Sequence, residues 1–133
     1  AGALHAARIT VLPLRGDVRI FAYDARQDLV QRLVPALASG LVAFRDRVRD
    51  CLPTAGGYAI ILLADAQMGG RVYRDPESLL WRDAGAILQT LAMVAWAEGH
   101  ALCPIGLHGD EVAHALSIEA SFQAVGAAVI GRR

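Results

Sequence analysis

The chain has 133 residues, a formal net charge of zero and 55% hydrophobic residues. That length supports one domain with a real core and no need of disulfide staples, and the composition excludes a disordered chain. Thirteen basic residues balance thirteen acidic ones, which excludes a strong non-specific field for nucleic acid or anionic lipid.

All thirteen basic residues are arginine; the sequence contains no Lys and no Asn. Without Lys there is no Schiff-base lysine, no Walker A phosphate lysine and no Ser–Lys dyad. Cys51 and Cys103 are too few and too far apart for a disulfide framework. They are expected as free, buried thiols in a reducing compartment, the cytoplasm. The start Ala1-Gly2-Ala3-Leu4-His5 lacks a basic region followed by an apolar run, so no signal peptide is expected. It also lacks an initiator Met, as expected of a processed or partial chain.

In chain order, the β-branched run Ile9-Thr10-Val11 predicts a strand over 7–14, with Pro13 placing its end at a sheet edge. Arg15-Gly16-Asp17 supplies a turn into a second strand over 18–23, and the pair reads as a hairpin. Asp24 is a candidate N-cap for a helix over 26–37, where Leu29, Val30, Leu33, Val34 and Leu37 recur at helical spacing. Ser39 is expected to cap a second helix that buries Leu41, Val42, Phe44, Val48 and Leu52 and stops at Pro53. The unbroken apolar run 58–64 predicts a central strand covered on both faces. A loop over 65–70 follows.

Pro76-Glu77-Ser78 opens the longest helix, which runs to about Glu98. From Ala84 to Ala97 it is apolar all round except Gln89 and Thr90, so burial on nearly every side is expected, with another chain covering one side. Arg82 and Asp83 limit that stretch to fourteen residues, below the roughly 20 a membrane span needs. Gly99 ends the helix. An extended segment over 101–107, a short helix capped by Asp110 and a final strand over 123–130 complete the order ββααβαβαβ, an α+β domain.

The four His and Cys103 match no zinc spacing, so no metal site is expected. No Gly-x-Ser-x-Gly elbow exists, and the glycine pairs at 56–57 and 69–70 fit neither a P-loop nor a dinucleotide fingerprint. Tyr73, between Arg71 and Arg74, reads first as a packing residue and second as a proton donor. Arg132-Arg133 reads as a solvated pair or a phosphate contact.

Three pieces in order carry a resemblance: Arg71-Val72-Tyr73-Arg74, then 83–91 (Asp-Ala-Gly-Ala-Ile-Leu-Gln-Thr-Leu), then Cys103-Pro104-Ile105-Gly106. Together they resemble the C-terminal half of the nitroreductase-like flavoproteins, most closely the SagB-type dehydrogenases, a branch that includes azoline oxidases. Ala1-Gly2-Ala3-Leu4-His5 is similar to the family's Ser-Ala-Gly-x-x-His-Pro segment, Phe21-Ala22-Tyr23-Asp24 to the branch's Tyr-x-Tyr-Asp strand, and Val129-Ile130-Gly131-Arg132 to its closing strand. The resemblance implies a nitroreductase-like, FMN-dependent fold as a single domain over 1–133. Its sheet, antiparallel or mixed, would pack on a long central helix.

It further implies an oxidoreductase passing hydride through FMN, with the flavin at the interface of an intertwined dimer built on the long helix. Pro104, Ile105, Gly106 and Leu107 would lie against the isoalloxazine ring, a backbone N–H facing its reactive nitrogen. Gly2, Ala3, Leu4 and His5 would line the ring's polar edge, and Arg132 would sit near the phosphate.

The departures are specific. The family's N-terminal portion, with its Arg-x-Ser-x-Arg phosphate clamp, has no counterpart, so the domain reads as N-terminally truncated. Gln67 and Met68 stand where azoline oxidases carry a Lys-Tyr pair, and Ala6 replaces a Pro. No catalytic residue is assigned.

Three readings follow. The chain is one subunit or fragment of a flavoenzyme, paired as a homodimer or heterodimer with a chain that supplies the clamp and acting on a small molecule or peptide. Alternatively, it is a relative that has lost flavin and serves as a binding or structural partner. In the third reading, it is an unrelated α+β binding domain.

Overall fold

A computed structural model describes residues 7–53, 56–117 and 122–133. The elements are β1 (Ala7–Pro13), β2 (Ile20–Asp24), β3 (Leu29–Leu33), α1 (Ala38–Cys51), β4 (Tyr58–Asp65), α2 (Ala66–Gly70), α3 (Pro76–Ala97), β5 (His100–Ile105), α4 (Asp110–Ala115) and β6 (Phe122–Arg132). The strands form one sheet in the order β3-β2-β1-β4-β6-β5, with every neighbouring pair antiparallel.

Strand β4 divides two cores. Its alternate residues Ala59, Ile61 and Leu63 face Leu41, Phe44 and Val48 of α1 and Val112 and Ala115 of α4. The intervening Ile60, Leu62 and Ala64 face Leu80 and Ala84 of α3. The six residues from Ala59 to Ala64 are all buried, as the unbroken apolar run predicts. The β4–β6 register shifts between Leu62 and Leu63, which pair with Gly126 and Ala124. The extra residue, Val125, joins the α3 side while Ala124 and Ala127 serve the other core. The buried Thr10 hydroxyl donates to the Ile61 carbonyl at 2.9 Å, tying β1 to β4.

Local chemistry explains most of the boundaries. Asp75 accepts from the Ser78 backbone N–H and Pro76 starts the first turn of α3. Gly99, at φ +77, follows its end. The turn between β1 and β2 is held from outside by α1. Arg49 donates to the Leu14 carbonyl at 2.7 Å and Arg45 to the Gly16 carbonyl at 2.9 Å. At the far end of α3 the Arg133 guanidinium lies 3.7 Å from the Trp96 ring centroid and donates to the Trp96 carbonyl at 3.0 Å.

Several expectations are corrected. Residues 26–37 are not a helix: Leu29–Leu33 forms strand β3, in register with β2 from Ile20↔Leu33 to Asp24↔Leu29. Asp24 does cap backbone N–H groups, those of Arg26 and Gln27, but in the turn that closes this hairpin. Asp28 takes φ +50 there, and its carboxylate accepts from the Tyr23 hydroxyl. Strand β1 lies inside the sheet, and Pro13 is tolerated at its last position.

The N-caps of α1 and α4 are Leu37 and Gly109, not Ser39 and Asp110. The loop over 65–70 contains α2, whose first N–H groups bond to Asp65. Cys51 and Cys103 are exposed rather than buried. In this chain α3 buries only Leu80, Ala84 and Ala95. Its outer side carries Met93, Val94 and Trp96, each more than half exposed (65%, 55% and 64%).

The sheet edges are β3 and β5, and Pro104 within β5 has no N–H to offer a ladder. Among the described residues no helix is long and apolar enough to cross a membrane.

Two outcomes test this packing. Gly109 has φ +99, and a Cβ there would lie 2.7 Å from Ile61 Cγ2. Gly109→Ala is therefore expected to lower unfolding stability by about 1–3 kcal/mol in a denaturant titration. Glu111 pairs with Arg47. Partial burial raises its carboxyl pKa, but its own backbone N–H and Arg47 outweigh that and hold it below the ordinary range. A lowered folded pKa stabilises fully above the unfolded carboxyl pKa and is lost as pH falls through the folded value. Glu111→Gln should thus flatten the acid limb of a stability–pH profile and leave its slope near neutral pH unchanged.

Candidate functional site

One end of the sheet gathers most of the chemistry. There β1 begins, β4 ends and β6 begins, in the pairs Ala7↔Ala64 and Asp65↔Phe122. The turn from β2 to β3 closes at the same end. Strand β5 starts at the opposite end, with His100 across from Arg132, and runs to Ile105 across from Ala127. The segment after β5 therefore leaves toward the chemically rich end.

In that segment Ile105 and Leu107 are half-buried against the α1–α4 core, and Pro104 and Gly106 are exposed. A Cβ built on Gly106 would meet nothing within 4 Å. The backbone at 106 is thus bare and open on its outer side. Two residues on, the His108 ring meets the Trp81 ring of α3 with centroids 5.2 Å apart and planes tilted by 56°. This contact fixes the loop against the N-terminal half of the long helix.

A cavity of about 670 Å³ opens at the same end, over the β1–β2–β3 half of the sheet. Its floor includes the register row Thr10, Ala22 and Gln31, and Met68 and Ile87 stand on its α3 side. Tyr23 also lines it, and its hydroxyl donates to the Asp28 carboxylate at 2.9 Å. That bond and the carboxylate's charge push the Tyr23 phenol pKa above its ordinary value.

The residues singled out by sequence are distributed as follows. Pro104, Ile105, Gly106 and Leu107 form one continuous loop. Arg132 is exposed at the opposite end of β5, five residues and about 17 Å of strand from Ile105. Gly2, Ala3, Leu4 and His5 lie outside the described residues; Ala7, which follows them, lies at the cavity's end of the sheet. Met68 lines the cavity, and Gln67 is exposed. Tyr73 is 40% exposed and does not line it. Among the described residues no three His, Cys, Asp or Glu are placed to hold a metal ion.

Sequence reading missed the cavity's polar residues Arg8, Asp24, Arg26 and Gln31 as a group. The signal that would unite them is the β1–β2–β3 register, which a helix over 26–37 conceals.

The chain matches no protein-family model, and no curated protein is significantly similar to it. Its structure does resemble a solved one, a protein described as a "putative nitroreductase" from Anabaena variabilis, with a TM-score of 0.76 at 16% sequence identity. The overlay covers 98% of this chain and 28% of that chain. The chain therefore has a nitroreductase-like α+β fold, and it spans just over a quarter of the length of the protein it resembles.

A flavin mononucleotide has a flat ring that needs an accessible surface and a phosphate that needs cations or N–H donors. At Gly106 the backbone is open, with nothing within 4 Å of a built Cβ. Arg132 could meet the phosphate's need within one chain only for a flavin lying along the whole of β5. The described residues thus offer open backbone at the loop and a cation at Arg132, at opposite ends of β5.

Because Gly106 has space around it and no positive φ, Gly106→Val is expected to change unfolding stability by less than about 1 kcal/mol. A thermal or urea unfolding curve checks this.

Proposed function

We propose that this chain is one part of a flavin-dependent oxidoreductase, of the SagB-type dehydrogenase kind, in which the ring of FMN rests on Pro104, Ile105, Gly106 and Leu107. The observation that supports it most is the likeness of nearly the whole chain to a nitroreductase-like fold. When bound, FMN supplies hydride transfer between a small-molecule or peptide substrate and an acceptor. The chain's own part is to orient and to exclude water. Gly106 presents backbone without a side chain, and the half-buried Ile105 and Leu107 anchor the loop that carries it. Gly2, Ala3, Leu4 and His5 would line the ring's polar edge.

The phosphate is assigned to a second chain or segment, with Arg132 contributing from its exposed position. The outer side of α3 is the surface on which that second chain is placed. Met93, Val94 and Trp96 form an apolar patch on one helix, as expected of an interface between copies or close relatives.

A second reading is favoured by two observations: Arg132 lies far from the loop, and Met68 offers no ionisable group where azoline oxidases carry one. In that reading the fold serves as a binding or structural partner without flavin.

Visible spectra of FMN titrated with the protein, taken with its oligomeric mass, separate the two. The first reading expects a dimer that shifts the flavin bands. Gly106→Val should abolish the shift while the fold persists, and Met93→Asp should yield a monomer with no shift. Retained flavin binding in Gly106→Val would refute the loop assignment. A dimer that ignores FMN would establish the second reading.

A further inference from the structure

The cavity over the β1–β2–β3 half of the sheet has a chemistry of its own. At about 670 Å³ it lies within the ~300–1,000 Å³ range of small-ligand sites. Most of its lower wall is apolar: Leu33 of β3, Leu63 of β4, Leu116 after α4 and Phe122 of β6. Its polar groups divide sharply into engaged and free ones. Asp24 already accepts from the backbone N–H groups of Arg26 and Gln27, and Asp65 from those of Gln67 and Met68. The Thr10 hydroxyl is spent on the Ile61 carbonyl.

Each aspartate keeps its second oxygen, and beside them stands a set of free donors. Neither the Arg8 nor the Arg26 guanidinium has a hydrogen-bond or ion-pair partner among the described residues, and Gln31 adds a side-chain amide. Arg8 is not idle: its guanidinium carbon lies 4.6 Å from the centroid of the Phe122 ring. Stacking of this kind orients a guanidinium and leaves its N–H edge outward, so less side-chain freedom is lost when an anion arrives. A carboxylate can accept two parallel N–H bonds from such an edge.

We infer that this cavity binds a small amphipathic anion, its carboxylate held by Arg8 and Arg26 and its hydrocarbon body laid on Leu33, Leu63, Leu116 and Phe122. The inference concerns the chain without flavin: the lining excludes the 104–107 loop and Arg132, although Ala7 and Met68 border positions that the flavin reading uses. A zwitterionic peptide is the competing ligand, because each aspartate keeps one carboxylate oxygen. The two unpaired guanidinium groups favour the simple anion, since each aspartate's other oxygen already accepts from two backbone N–H groups.

The test is calorimetric titration of the whole chain at pH 7 without flavin, using decanoate and 1-decanol as probes of equal chain length. Decanoate is expected to bind at one site per chain, at least tenfold more tightly than 1-decanol. Arg8→Gln, which keeps a polar side chain at the position, should weaken decanoate at least tenfold and leave 1-decanol unchanged. The comparison of the two probes on the unaltered protein needs no variant, so a folding defect in Arg8→Gln does not blunt it. Equal binding of decanoate and 1-decanol, or no saturable decanoate binding, would overturn the inference. So would a folded Arg8→Gln protein that binds decanoate as tightly as the unaltered chain. Failure of FMN to bind in a parallel experiment would bear on the flavin reading alone.

Discussion

Strand β4 has no solvent face, and the rest of the fold is arranged around that constraint. Its side chains alternate between two cores, and both sets are apolar. A slip of one residue would exchange Ile61 and Leu63 for Ile60 and Leu62, so hydrophobic patterning within the strand does little to specify its register. The neighbours must do so. The Thr10 hydroxyl marks the Ile61 carbonyl, the Leu14 N–H marks the Gly57 carbonyl, and the extra residue at Val125 fits only beside Leu62 and Leu63. One buried polar side chain and one bulge thus align what a run of aliphatic residues leaves free.

This explains which parts of the fold were legible in the sequence. Helix α3 was readable because its signals are local: Asp75 and Pro76 open it and Gly99 closes it. Strand β4 was readable because continuous burial leaves a continuous apolar run. Residues 29–33 misled because Leu29, Val30 and Leu33 fit a helical face and a strand about equally well. The choice was made elsewhere, by the Asp24 turn and by pairing with β2, and neither is visible in a window of that length. The N-caps failed for a similar reason. Gly109 starts α4 because a Cβ there would strike Ile61, which is a tertiary fact.

The candidate site shows the same division. The loop after β5 was legible as a motif, and the structure places its four residues in one continuous segment with open backbone at Gly106. Its distance from Arg132 was not legible, because antiparallel pairing of β5 with β6 sets their closest points at the opposite end of the strand. The cavity was hidden altogether, since its residues come from β1 to β4, α2 and α3, from the segment after α4 and from β6. It exists because the helices divide the sheet unequally. Among the described residues helix α3 meets β5 and β6 more closely than β1, and α1 and α4 pack chiefly on each other and on β6.

The position of Pro104 on edge strand β5 bears on how the molecule meets its neighbours. An open edge invites a further strand to pair with it, and repeated pairing of that kind builds aggregates. A strand zippering along β5 from His100 would lose its ladder at Pro104, where no N–H is available, one residue before the strand ends. An added strand would therefore pair poorly where β5 runs into the loop that follows it. A partner at this edge would thus meet the open backbone of the loop rather than a continued strand ladder.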